Sequence, residues 1–167
     1  MLERLWNGWR SSYVSSVGPA SDPDGPSVFT RILESGLSDE QANIVHRGAL
    51  CWVVLNAFPY GTGHLLVIPY REVADLEALH ADEAAELWST VTDGVRAVKQ
   101  AYSPEGVNVG INLGRPAGGS VSQHLHVHVV PRWTGDANFM TAVANTRTLP
   151  EPLDETARKI RAAWPGQ

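Results

Sequence analysis

The stretch QHLHVHVVPRW, residues 123–133, sets three histidines, His124, His126 and His128, in strict alternation with Leu125, Val127 and Val129. A period of two is strand geometry, so the three imidazoles share one face and the aliphatic residues anchor the other face to a core. One alternating histidine is ordinarily a structural or surface residue, and His46 and His80 are read that way. Three in succession ask for chemistry: metal ligation, a proton relay, or a nucleophile flanked by donors. A strand advances about 3.3 Å per residue, which puts the first and third backbones roughly 13 Å apart, too far for three rings to meet one zinc through bonds of about 2 Å. Two adjacent rings can share a metal only with ligands from elsewhere, and the single cysteine, Cys51, lies inside an apolar run. The nucleophile reading therefore ranks above a catalytic metal.

Immediately upstream, residues 114–120 read GRPAGGS. Gly118 and Gly119 let backbone N–H groups approach an anion and Ser120 adds a hydroxyl, a weak signal alone but a fitting one beside a nitrogen nucleophile, where a developing phosphoryl charge needs preorganised donors. Further back, VNVGINL (107–113) alternates Val107, Val109, Ile111 and Leu113 with Asn108, Gly110 and Asn112. This predicts a strand with one face in the core and a polar face towards a site, from which Asn112 offers a donor. Between His80 and Tyr102 the residues Ala84, Leu87, Trp88, Val91, Val95, Val98 and Tyr102 recur at intervals of three and four, with Asp82, Glu83 and Glu86 early and Lys99 late. That is the pattern of one long amphipathic helix. Upstream again, NIVHRG leads into ALCWVVLNAF, PYGTG (59–63) turns the chain, and HLLVIPY (64–70) returns as the second arm of a hairpin. Together these predict an α+β domain with a curved, mostly antiparallel sheet of about five strands and one main helix across it.

The flanks are plainer. Leu2, Leu5, Trp6 and Trp9 fall on one helical face, and SSVGPASDPDGPS (15–27) has too little apolar surface to order itself and reads as a mobile loop. A short amphipathic helix is expected around Leu153 to Trp164. The 167 residues are 43% hydrophobic and 19% charged, proportions of a globular chain and not of a disordered or membrane-spanning one. No basic segment followed by a long apolar one opens the chain, so secretion is not expected and the cytoplasm is the default. With 13 Lys plus Arg against 18 Asp plus Glu, broad electrostatic binding to nucleic acid is excluded, and an anionic ligand must be held by local donors.

On these residues the chain resembles a known family. HLHVHVV (124–130) is similar to the motif of the histidine triad nucleotide-binding superfamily, and VVLNAFPYGTGHLLVIPYREV (53–73) to its strand, turn and strand segment, so that the likeness covers about residues 44–140. The Leu- and Trp-rich amino terminus, NVGINLG, AGGS, and PRW followed by GDANF resemble the bacterial diadenosine tetraphosphate phosphorylases within it. The resemblance implies a histidine triad domain over residues 31–144, preceded by a helix and loop at 1–30 and followed by an extension at 145–167. It implies that His126 attacks the α-phosphorus to form a nucleotidyl-imidazole, that His124 orients the site, and that His128 donates to a phosphate or bridging oxygen. Asn56 would meet the ribose, and Asn112, Gly118, Gly119 and Ser120 the phosphates.

His64 is either a turn residue bonded to the triad segment or a substrate contact, and Trp133 either a plug at a strand end or a stacking surface for adenine. Arg115 and Arg132 are phosphate clamps or plain surface charges. The expected reaction converts diadenosine tetraphosphate and inorganic phosphate to ATP and ADP in a homodimer or higher oligomer. It requires no cofactor and no bound metal, although a divalent cation such as magnesium is a compatible companion of the polyphosphate. Hydrolases of the fragile-histidine type carry Gln four residues before the first triad histidine, where this chain and the phosphorylases carry Ser120, which favours phosphate over water as acceptor. The alternatives are a hydrolase releasing AMP and ATP, a nucleoside phosphoramidate hydrolase and, from a different class, a non-catalytic purine-nucleotide or zinc-binding protein.

Overall fold

A computed structural model describes residues 25–118, 121–136 and 149–166. The expected amino-terminal helix over Leu2 to Trp9 lies outside the described residues, as do Gly119 and Ser120. Within them the architecture is α+β. Helix α1 (Val28–Glu34) and the single turn α2 (Asp39–Ala42) lead into strands β1 (Ile44–Arg47), β2 (Cys51–Leu55) and β3 (Leu65–Pro69). The long helix α3 (Ala81–Tyr102), β4 (Gly106–Ile111), β5 (Val127–Arg132) and α4 (Leu153–Ala162) follow. The five strands form one sheet in the order β1-β2-β3-β5-β4, every neighbouring pair antiparallel.

The sequence pattern explains the layering. On β2 and β3 successive side chains go to opposite faces, and both faces are buried, hence the unbroken aliphatic and aromatic runs. Cys51, Val53, Leu55, Leu65 and Val67 face a core closed by Leu87, Val91 and Val98 of α3 and by Ala157, Ile160 and Trp164 at the carboxyl-terminal end. Trp52, Val54, Leu66 and Ile68 face the other side, covered by Phe29. The helix starts at an N-cap, His80, whose N–H donates to Glu83, and ends at Ser103 in the left-handed region. His46 stacks on Trp164 at 4.7 Å, so both histidines assigned structural roles have them.

Three expectations are corrected. Trp88 lies on the flank of α3 and is exposed, leaving Leu87, Val91 and Val98 as the buried stripe. Val109 of β4 and Leu113 just beyond it are exposed and only Val107 and Ile111 pack on the core, because β4 is the edge strand and α3 crosses β2, β3 and β5 instead. Ser27, placed at the end of a mobile loop, is fully buried and caps α1. No helix among the described residues is long and apolar enough to cross a membrane.

Candidate active site

Of the three histidines only His128 lies within β5; His124 and His126 occupy the extended run entering it, with Leu125 N–H donating to the Val73 carbonyl. His124 and His126 are buried and His128 is half-buried. Each ring is held by a partner that fixes which nitrogen carries the proton. His124 Nε2 is 2.8 Å from the Pro69 carbonyl, an acceptor only, so Nε2 carries the proton and Nδ1 presents a lone pair. His126 Nδ1 is 2.8 Å from the His124 carbonyl, so Nδ1–H donates there and Nε2 keeps its lone pair.

The proton on His128 is set from farther away. The Tyr60 backbone N–H donates to His64 Nδ1 at 3.0 Å, which obliges the neutral His64 ring to carry its proton on Nε2. That Nε2 lies 2.9 Å from His128 Nδ1, which must therefore accept. His128 is left with its proton on Nε2, 3.4 Å from Nδ2 of Asn112; two donors do not pair, so this tautomer requires the carboxamide to be turned over, with its oxygen accepting. The centroids of His126 and His128 are 4.9 Å apart. A bare lone pair and an N–H donor thus stand side by side, the two groups that a substitution at phosphorus requires.

Burial pushes all three imidazoles below their ordinary value. It is the leading cause for His124 and for His126, and it drives His128 down to about 4 with help from neighbouring His126. All three rings are consequently neutral at pH 7, the state a nitrogen nucleophile needs. Tyr60 stacks on His128, centroids 5.8 Å apart and planes 13° apart. Gly110 is paired with His128 across β4 and β5, and a Cβ added there would meet nothing within 4 Å, so the neighbouring surface is open.

The other expected site residues divide. Asn112 is at the triad. Asn56 is one step removed: its oxygen accepts the Phe58 N–H and its nitrogen lies 3.4 Å from His64 Nδ1. Gly118 adopts φ +100° and donates its N–H to the Arg115 carbonyl, so that donor closes a turn instead of facing outward. Trp133 follows the last residue of β5, five residues beyond His128 and about 16 Å along the strand. The structure does not bring it to the triad of its own chain. Arg132 is engaged by Asp136 and Asn108, a surface pairing and not a clamp.

His64 resolves to the turn residue bonded to the triad. Four contributors escaped the sequence reading: Tyr60, Phe29, Ser27 and Glu72. Phe29 meets the rings of His124 and His126 edge-on at 5.6 and 5.1 Å. Only Tyr60 carried a usable signal, its place in the turn just before Gly-His. Among the described residues no group of three or more His, Cys, Asp or Glu side chains is arranged to hold a metal ion.

Comparison with known proteins agrees with this geometry. The HIT domain family matches residues 38–135. A Mycobacterium tuberculosis protein named AP-4-A phosphorylase is 44% identical over 170 residues, covering 99% of this chain and 86% of the relative. A Schizosaccharomyces pombe bis(5'-nucleosyl)-tetraphosphatase (asymmetrical) is 34% identical over 57% of this chain and 52% of its own. Among solved structures, a zinc-bound histidine triad family protein from Mycobacterium smegmatis superposes with a TM-score of 0.67 at 29% identity, covering 82% of this chain and 91% of that one.

Proposed function

The chain belongs to the HIT domain family, and from that premise we propose that it phosphorolyses diadenosine tetraphosphate to ATP and ADP through an adenylyl-His126 intermediate. The observation that carries this reading is the paired tautomer at the triad: Nε2 of His126 bare, Nε2–H of His128 beside it. The His126 lone pair attacks the α-phosphorus, the bond from that phosphorus to the bridging oxygen breaks, and ATP departs as His128 donates to the oxygen that leaves. An oxygen of inorganic phosphate then attacks the same phosphorus while its proton passes to Nε2 of His128, the P–N bond breaks, and ADP leaves with His126 and His128 both restored.

Asn112 supports the phosphates from its place 3.4 Å from His128. Asn56 is assigned to the ribose, and Gly119 and Ser120 to the phosphates beside Gly118, by likeness of sequence. The sequence feature that favours phosphate over water as acceptor is the short serine at position 120, where the fragile-histidine hydrolases carry a long amide. No cofactor takes part, and magnesium, where present, travels with the polyphosphate. Val109 and Leu113, exposed at the β4 edge, support a homodimer through this side of the sheet.

Chromatography of the nucleotides formed from diadenosine tetraphosphate, with and without millimolar phosphate, tests the reading. ADP and ATP in equal amounts, with turnover nearly stopped when phosphate is removed, are expected. AMP plus ATP formed at a rate indifferent to phosphate would assign the chain to the hydrolases instead, the activity in the name of the fission-yeast relative.

A further inference from the structure

Behind the histidines lies a polar cluster that the reaction scheme does not use. Ser27 Oγ is 2.7 Å from His124 Nδ1, and Ser27 is fully buried. The Glu72 carboxylate accepts the Ser27 backbone N–H at 3.0 and 3.1 Å and the Thr30 hydroxyl at 2.6 Å. Thr30 N–H in turn donates to Ser27 Oγ at 3.1 Å. The proton count is decided by these partners. His124 Nε2 is committed to the Pro69 carbonyl, so Nδ1 can only accept, and the Thr30 hydroxyl spends its proton on Glu72. The Ser27 proton is the one that meets His124 Nδ1.

We propose that Ser27, held by Glu72, is a positioning residue for the reaction: its hydroxyl and the Pro69 carbonyl pin both nitrogens of His124, and the His124 carbonyl in turn holds Nδ1–H of His126. The same anchorage seats Phe29 against both rings. Ser27, Phe29 and Thr30 all precede residues 38–135, so this support for the nucleophile comes from outside the family domain. The proposal rests on His126 being the nucleophile. It predicts that loss of the hydroxyl lets His124 turn and His126 drift, an error of a kind that costs rate far more than affinity.

The test compares the full-length parent with Ser27→Gly and Ser27→Ala. Both variants lack the hydroxyl but differ as helix caps, glycine being tolerated at that position far better than alanine. A positioning role predicts that kcat falls about tenfold or more in both alike, with KM within about twofold, while melting temperature falls more for alanine. Long-range nitrogen–proton spectra of the imidazoles in the ligand-free protein should show His124 Nδ1 moving to the position of an unbonded ring nitrogen. Kcat of Ser27→Gly within about twofold of the parent, or an unmoved His124 Nδ1 signal, overturns the proposal. The spectra need no substrate, so a parent that makes AMP in place of ADP defeats the acceptor assignment while Ser27 is still judged.

Discussion

The two histidines that the proposed reaction uses, two residues apart, are held in opposite ways. His126 receives its orientation locally, from the carbonyl two residues earlier, inside a buried pocket walled by Phe29. His128 receives its orientation through another ring, by a relay from the Tyr60 N–H through His64, and it keeps one side towards the open surface beside Gly110. The difference suits the task proposed for each. A nucleophile has one bond to form and gains from being immovable, and a main-chain carbonyl cannot rotate away. A donor must follow a departing oxygen, and a ring held by a ring and by Asn112 has room to adjust.

Replacing His126 is the most severe way to break this contrast. His126→Ala should abolish turnover while nucleotide binding stays within about tenfold, roughly 1.4 kcal/mol, as measured by calorimetry beside product analysis. A variant that still turns over would remove the covalent route. His128→Gln is next: loss of proton donation should lower kcat on the order of 10²- to 10⁴-fold, and with adenylylation then the slow step no burst of ATP should precede steady turnover. His64→Leu should lower kcat about tenfold with little change in KM, because it frees His128 without removing it. An equal loss in His64→Leu and His128→Gln would mean that His64 takes part directly.

The smallest effect concerns stability. Burial holds His128 at about 4 in the folded chain, below the ordinary 6.5, so between those values the unfolded chain binds a proton that the folded chain refuses. Stability is therefore full above about pH 6.5 and is lost as pH falls towards 4, with His124 and His126 acting in the same direction. Melting curves of His128→Gln should decline less steeply than those of the parent across that window, by a few °C. Parallel curves would show that the ring is not held neutral by the fold.

How much of this was legible in the sequence depended on range. The triad, the hairpin and α3 were readable because each is written in a local period, two for the strands and 3.6 for the helix. Asn112 could be placed because it continues the alternation of Asn108 and Gly110 along the sequence. Ser27 could not. Its window is rich in Pro and Gly, and its burial depends on Glu72, 45 residues later, and on His124, 97 residues later. The exposure of Val109 was likewise invisible, because alternation shows that a strand has two faces but not whether a helix will cover one of them.

The placement of α4 has a consequence for how the chain acquires its structure during synthesis. Arg161 donates to the carbonyls of Ile44 and Asp39, more than a hundred positions earlier, while Ile160 and Trp164 enter the core beside Val45. All five strands are therefore synthesised before the segment that covers the first of them. Until α4 emerges the nascent sheet has an uncovered apolar face beside Val45, the kind of surface that chaperones recognise. A ribosome stalled before α4 therefore holds a chain with all three triad histidines made and its core still open.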